Sequence, residues 1–460
     1  MTQSHQTINP TSEELLETYQ LVSHAGAKEI IEQAHAAFLE WRQVPLDKRA
    51  EVLLKVASLI RERSEEYAAL MTREMGKTLA QGKEECELCA AICEYTAVEG
   101  PRLLADETRE LKGGHALISY QPQGVIYGIQ PWNFPLYQVI RYSAANLMAG
   151  NTVLLKHAAN VWGMALEVEK LYLDAGLPLN AFRSLLINHE VSDAVIEHKL
   201  VRGVTLTGSP GAGRIVARKA ADALKKTVLE LGSNDAYLVL ADADINKAAQ
   251  VGVQARVYNM GQTCVAAKRF IVEETVYEEF RDAYVNAMKK LSMGDPWAED
   301  TDIGPMARKD LRDKLHNQVL ESIDAGANCL LGGQIPEGKG AFYPPTVLEN
   351  VAPGQPAYDD ELFGPVASLI KVRDEAEAMR VANDSPYGLG GGIFSADKEK
   401  ALRLARDAFD TGMININGYN LAQPNLPFGG VKASGYGREH GGFGMHEFVN
   451  AKSIMITESR

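Results

Sequence analysis

Cysteine is scarce in this chain, with five among 460 residues. That is too few for a disulfide framework, so a reducing, cytoplasmic setting is expected. Basic charge is short as well: 47 Lys and Arg stand against 60 Asp and Glu, for a net charge of −13. A nucleic-acid partner is not expected, because phosphate backbones are held by basic surfaces. Membrane binding through a basic face is equally unsupported. No apolar run reaches the roughly 18 residues of a membrane span, and the start MTQSHQTINP has no basic-then-apolar signal pattern. Solenoid repeats and low-complexity tracts are missing too. What is there is ordinary globular composition, 46% hydrophobic and 23% charged, at a length that predicts about two or three domains.

Apolar spacing predicts helices over 26–45 and 47–72, separated by Pro45. In 78–98, Cys86, Cys89 and Cys93 fall on one helical face. Zinc needs four ligands, and no matching His or Cys pair lies nearby, so a packed helix face is expected and no metal. Alternation around Gly113-Gly114, over 104–129, predicts a β-hairpin whose edge another subunit would cover. From 136 to 229, and again from 236 to 416, helices and strands alternate. Such alternation implies right-handed βαβ units and a mostly parallel, doubly wound sheet. The Gly-rich stretch 426–444 reads as irregular loop, and 448–456 as a strand.

Several residues sit where chemistry would need them. Cys264, in VYNMGQTCVAAKRF, precedes Val265-Ala266-Ala267, which read as the start of a helix. A helix N-terminus favours the thiolate, the attacking form, although a lone cysteine is otherwise a small core residue. In TGSPGAG (207–213), Ser209 suits an N-cap, Pro210 the first helical position, and Gly208, Gly211 and Gly213 close backbone approach. That arrangement suits phosphate but is not the common GxGxxG fingerprint, and glycine also serves turn geometry alone. Lys156 ends the strand NTVLLK, where ligands bind in open α/β sheets, or where a solvated lysine would sit. Glu230 ends TVLE, where partial burial would raise its pKa toward that of a general base, or where it would form a salt bridge. Asn133, held between the prolines of PWNFP, has an amide that would pair with the Cys264 backbone N–H as an oxyanion hole, or serve the turn only.

PWNFP, Lys156 in LLKHA, TGSPGAG, LELGS (229–233), GQTC (261–264), ELFGPV (361–366) and PFGGVKASGYGRE (427–439) follow one another as in the aldehyde dehydrogenase superfamily. The chain resembles that superfamily over nearly its whole length. The wording of LLKHA, GQTCVAAKRF and YPPTVL is most like the bacterial succinate semialdehyde dehydrogenases of the Sad type. The resemblance implies an α/β fold with a Rossmann-type cofactor domain (1–106 and 122–232). It also implies an α/β catalytic domain (233–432) and a small β oligomerisation arm (107–121 and 446–460), in a homodimer or homotetramer.

It further implies a non-acylating NAD- or NADP-dependent aldehyde dehydrogenase acting on succinate semialdehyde. A broader aldehyde specificity is the alternative, and a non-catalytic family member the remote one. By the same resemblance Cys264 is the nucleophile, Glu230 the base and Asn133 the oxyanion donor. Trp132, Lys156, Thr207, Gly208, Ser209, Gly213, Glu361 and Phe363 meet the cofactor, Phe428 walls the aldehyde tunnel, and Glu439 lies behind the base. Arg141 matches an arginine that binds a distal substrate carboxylate, whereas Tyr258 replaces a second one found in some relatives. Ala159 stands where NAD-preferring members often carry a glutamate that repels a 2′-phosphate, so NADP is permitted. Ser233 stands where the motif usually has glycine, with no account from sequence.

Overall fold

The computed structural model describes residues 3–457. The end of the expected arm, 458–460, lies outside the described residues. Two open sheets carry the fold. The first has six strands in the order Gly435–Tyr436, Lys226–Glu230, Val201–Thr207, Val125–Gln130, Thr152–His157 and Phe182–Ser184. All pair in parallel except the Gly435–Tyr436 edge. The second has seven strands, in the order Asn328–Leu331, Thr346–Glu349, Val366–Val372, Arg269–Glu273, Ala236–Val239, Gly391–Phe394 and Asn415–Ile416. Only its Asn328–Leu331 edge runs antiparallel.

Central strands such as Thr152–His157 and Ala236–Val239 are buried at every position. A parallel sheet covered by helices on both faces requires this, and it explains their unbroken apolar runs. The expected 26–45 helix spans His24–Trp41, and the expected 47–72 helix is two, Leu46–Glu62 and Ser64–Met75. In Leu79–Leu103 the three cysteines are buried in the core, and burial pushes the Cys86 thiol up to about 12.

The expected hairpin is Glu107–Leu111 with Gly114–Pro122, and Val449–Thr457 pairs with its other side. Val125–Gln130, expected to continue that hairpin, instead enters the six-stranded sheet. The stretch 426–444 is more ordered than its composition implies. It contributes Val431–Lys432, which pairs with Tyr387–Gly388, and Gly435–Tyr436, which pairs with the strand ending in Glu230. An N-terminal hairpin, Ser4–Ile8 with Leu15–Gln20, had no sequence signal strong enough to predict. No described helix is long and apolar enough to cross a membrane.

Candidate active site

The helix Ile245–Val257 ends just before Asn259 and Met260, both at φ 54°, and Gly261 at φ 70°. Three left-handed residues in a row reverse the chain sharply. Glycine is required at 261 for space as well, since a Cβ there would lie 2.3 Å from the Gly364 carbonyl oxygen. The GQTC and ELFGPV motifs therefore meet backbone to backbone. Asn259 locks the reversal by donating from Nδ2 to the Asn133 carbonyl at 2.7 Å.

Cys264 follows in a tight turn, with the Ala266 N–H donating to the Thr263 carbonyl at 3.1 Å. The helix expected from Val265 onward does not form. Residues 265–268 are all that separate the cysteine from the strand Arg269–Glu273, which pairs on both sides in the second sheet. Sheet pairing overrides the helical preference of Val-Ala-Ala, so no helix dipole favours the thiolate. Burial pushes the thiol up to about 12, against the opposing positive charges of Arg141 and Lys268.

Asn133 is held rigidly: Nδ2 donates to the Gln262 carbonyl at 3.0 Å and Oδ1 accepts from Gln138 Nε2 at 3.3 Å. One amide hydrogen is left over. The Cys264 backbone N–H has no partner among the described residues. Glu230, at the end of its strand, is buried, and neither carboxylate oxygen has a hydrogen-bond partner among the described residues. A Cβ on Gly429 would come within 2.8 Å of its Oε1, which accounts for a glycine in PFGG. Burial holds the Glu230 carboxyl well above the usual range; Arg141 opposes this and Glu439 reinforces it.

Arg141 differs most from expectation. Its side chain is fully buried and ion-paired through Nε with Glu439, and Nη2 donates to Thr207 Oγ1 at 2.8 Å. The guanidinium sits 4.8 Å from the Phe428 ring centre and 5.2 Å from that of Tyr137. It is thus an internal cation with a resident carboxylate rather than an open receptor. Phe428 itself packs with Val265 and Leu389 against Cys264. His440, which sequence reasoning passed over, joins this aromatic group and meets the Tyr137 hydroxyl at 3.1 Å. Burial and the neighbouring Arg141 pull its pKa down to about 3, so it is neutral.

A cavity of about 360 Å³ opens in front of Cys264. It brings together Trp132, Asn133, Thr207, Gly208, Ser209, Glu361 and Phe363 with the cysteine. Glu230, Arg141 and Phe428 are not on its wall; nor are Lys156 and Gly213. Ser209 caps the helix Pro210–Asp222, its Oγ accepting from the Ala212 N–H at 3.3 Å. A Cβ on Gly213 would lie 2.6 Å from Leu231, so glycine lets this helix sit close on its sheet. Lys156 is nine-tenths buried, and burial lowers its pKa with no acid nearby to offset it. A buried cation without a counter-charge fits a site for the hydroxyls or phosphate of a dinucleotide. Trp132 and Phe363 meet edge to face at 5.9 Å.

Ser233 now has an account. Its hydroxyl donates to the buried Asp235 carboxylate, a bond that glycine could not make, while its backbone N–H donates to Glu361 Oε1 at 3.0 Å as that of any residue here would. Lys268 was also missed by sequence reasoning and pairs with Glu361 at 3.3 Å. Nothing in GQTCVAAKRF distinguished it from a surface lysine.

Known proteins resemble this chain over nearly its full length. A Synechocystis protein named probable succinate-semialdehyde dehydrogenase (NADP+) is 43% identical over 450 residues, covering 98% of this chain and 99% of its own. The Escherichia coli succinate semialdehyde dehydrogenase (NAD(P)+) Sad is 43% identical over 97% of this chain and 96% of its own. The crystal structure of a succinic semialdehyde dehydrogenase from Streptococcus pyogenes in complex with NADP+ superposes with a TM-score of 0.96 at 38% identity, covering 98% of this chain and 100% of that one. The aldehyde dehydrogenase family profile matches residues 1–454, and the chain therefore belongs to the aldehyde dehydrogenase family.

Proposed function

We propose that this protein oxidises succinate semialdehyde to succinate, using NADP or NAD as the hydride acceptor. The observation that carries the chemistry is the grouping at one cavity of a buried thiol, two unspent N–H donors and, behind them, a carboxylate with no partner. Cys264 Sγ adds to the aldehyde carbon. The developing oxyanion accepts from the free Asn133 amide hydrogen and the Cys264 N–H. A nicotinamide held in this cavity would accept the hydride released as the oxyanion collapses, leaving a thioester on Cys264. Glu230 takes a proton from water for hydrolysis, and the burial that raises its pKa makes its carboxylate a stronger base. Lys156, Glu361 and the capped turn at Ser209 hold the cofactor. Half-exposed Ala159 leaves room for a 2′-phosphate, and the relatives' naming for NADP supports the same choice.

The substrate assignment is supported by the relatives, and in it Arg141 would turn part of its guanidinium from the interior to the distal carboxylate. The resident Glu439 favours a second reading, in which Arg141 serves only the interior and a wider range of aldehydes is accepted. Initial rates on succinate semialdehyde and butanal, with NAD and NADP in parallel, decide between them. A kcat/KM at least about tenfold higher on the carboxylate substrate is expected, and equal values refute the assignment. We also propose a homo-oligomer assembled through the Val449–Thr457 edge, where Ile454, Met455 and Ile456 are exposed. The division into cofactor, catalytic and arm regions drawn above is retained as part of this proposal.

A further inference from the structure

Lys268 is 2% exposed, yet it belongs to none of the expected site groups. Its ammonium meets three oxygens: the Cys264 carbonyl at 2.6 Å, the Thr263 carbonyl at 3.3 Å and Glu361 Oε1 at 3.3 Å. An ammonium has three N–H bonds, so each has an acceptor. Two consequences follow from this placement. A trans peptide points its C=O and N–H in opposite directions. Holding the Thr263 carbonyl toward Lys268 therefore turns the N–H of the same peptide, that of Cys264, the other way, where it has no partner among the described residues. Glu361, in turn, lines the cavity with Cys264. A cofactor hydroxyl donating to Glu361 would bond the same carboxylate that holds the ammonium, which links the two sites through one side chain.

We propose that Lys268 is a positioning residue that sets the Cys264 N–H for oxyanion binding and couples the nucleophile turn to cofactor occupancy through Glu361. The inference rests on the function proposed above insofar as Cys264 is the nucleophile and Glu361 meets the cofactor.

The test is alkylation of Cys264 by iodoacetamide across pH 6–9, read by mass spectrometry, with and without NADP. Wild type, Lys268→Met, Lys268→Arg and Glu361→Gln are compared, together with kcat and KM. The groups acting on the thiol are Arg141, Lys268, Glu361 and Glu230, with Tyr137 and Tyr419 beside it. NADP is expected to change the wild-type rate. Lys268→Met is expected to alkylate about tenfold more slowly at pH 7, since removing a nearby positive charge raises a thiol pKa by about one unit. Its NADP response is lost, and kcat falls more than the cofactor KM rises. Lys268→Arg keeps the charge and restores most of the rate.

Glu361→Gln, read at an NADP concentration shown to saturate it by a separate binding titration, removes a negative charge from beside the thiol, so alkylation without NADP is expected to quicken and the NADP response to be lost; if Lys268→Met does not fold, Lys268→Gln takes its place. A Lys268→Met enzyme that alkylates at the wild-type rate, a wild type indifferent to NADP, or a Glu361→Gln enzyme with a full NADP response overturns the inference. Failure of the functional reading looks different: no aldehyde is oxidised, while the alkylation differences among the variants remain.

Discussion

Replacing Arg141 by methionine tests the electrostatics of the interior most directly. The change keeps an apolar stem between Tyr137 and Phe428 but removes the cation from Glu439, whose side chain is 5% exposed. Breaking a buried ion pair from one side costs about 3–5 kcal/mol, and the two ring contacts add about 0.5–2 kcal/mol. A loss of roughly 3.5–7 kcal/mol is therefore expected at pH 8. Acid relieves most of it. Burial already raises the Glu439 carboxyl, and without Arg141 it holds its proton to still higher pH in the folded chain. A carboxyl whose folded pKa lies above its unfolded value makes the folded state bind more protons. Stability then falls as pH rises from the unfolded value of about 4.3 toward the folded one.

Urea-unfolding midpoints at pH 5 and pH 8 report this. Arg141→Met should lose far more at pH 8 than at pH 5. The double variant Arg141→Met with Glu439→Gln, which removes both charges, should lose only about 1–2 kcal/mol at either pH. A single-variant loss equal at both pH values, or a double variant as unstable as the single one, refutes the reasoning. The same proteins assayed on succinate semialdehyde and butanal separate the two readings of Arg141. A charge-assisted bond to substrate is worth about 1.5–3 kcal/mol, so the carboxylate substrate should lose about ten- to a hundredfold more kcat/KM than butanal.

Three further outcomes are expected. Asn133→Ala should lower kcat by about a hundred- to a thousandfold with a smaller change in KM, because one of two oxyanion donors is removed; a rate within about fivefold of wild type contradicts the role. Glu230→Gln should block thioester hydrolysis, so a pre-steady-state burst of reduced cofactor survives without turnover. It should also stabilise the protein more at pH 8 than at pH 5, since the cost of the carboxyl it replaces grows as pH rises above the unfolded carboxyl pKa. Ala159→Glu should raise the KM for NADP by about tenfold or more and leave that for NAD within about threefold; equal changes for both place the 2′-phosphate elsewhere.

Much of the site was legible because its chemistry is carried by backbone-restricting residues in short motifs. The prolines around Asn133 and the glycine before Gln262 mark turns that few other residues can make. Helix and strand positions from 136 to 273 were similarly open to period and propensity. The failures share a cause. Val265-Ala266-Ala267 read as helix because local preference is all that a short window contains, and pairing of Arg269–Glu273 with two strands overruled it. Gly435–Tyr436 read as loop because its partner strand lies some two hundred residues earlier.

By itself, then, the sequence determined the alternating α/β architecture, the family motifs and the positions where backbone shape or reactive chemistry is confined to a few residues. Only the tertiary structure decided which charges face one another. It set Arg141 against Glu439, Lys268 between Glu361 and the nucleophile turn, and Glu230 in a dry position against Gly429. Turns and periods are local and leave a mark in neighbouring residues. Burial and charge pairing arise between segments far apart in the chain, and they alone shift the groups that do the chemistry.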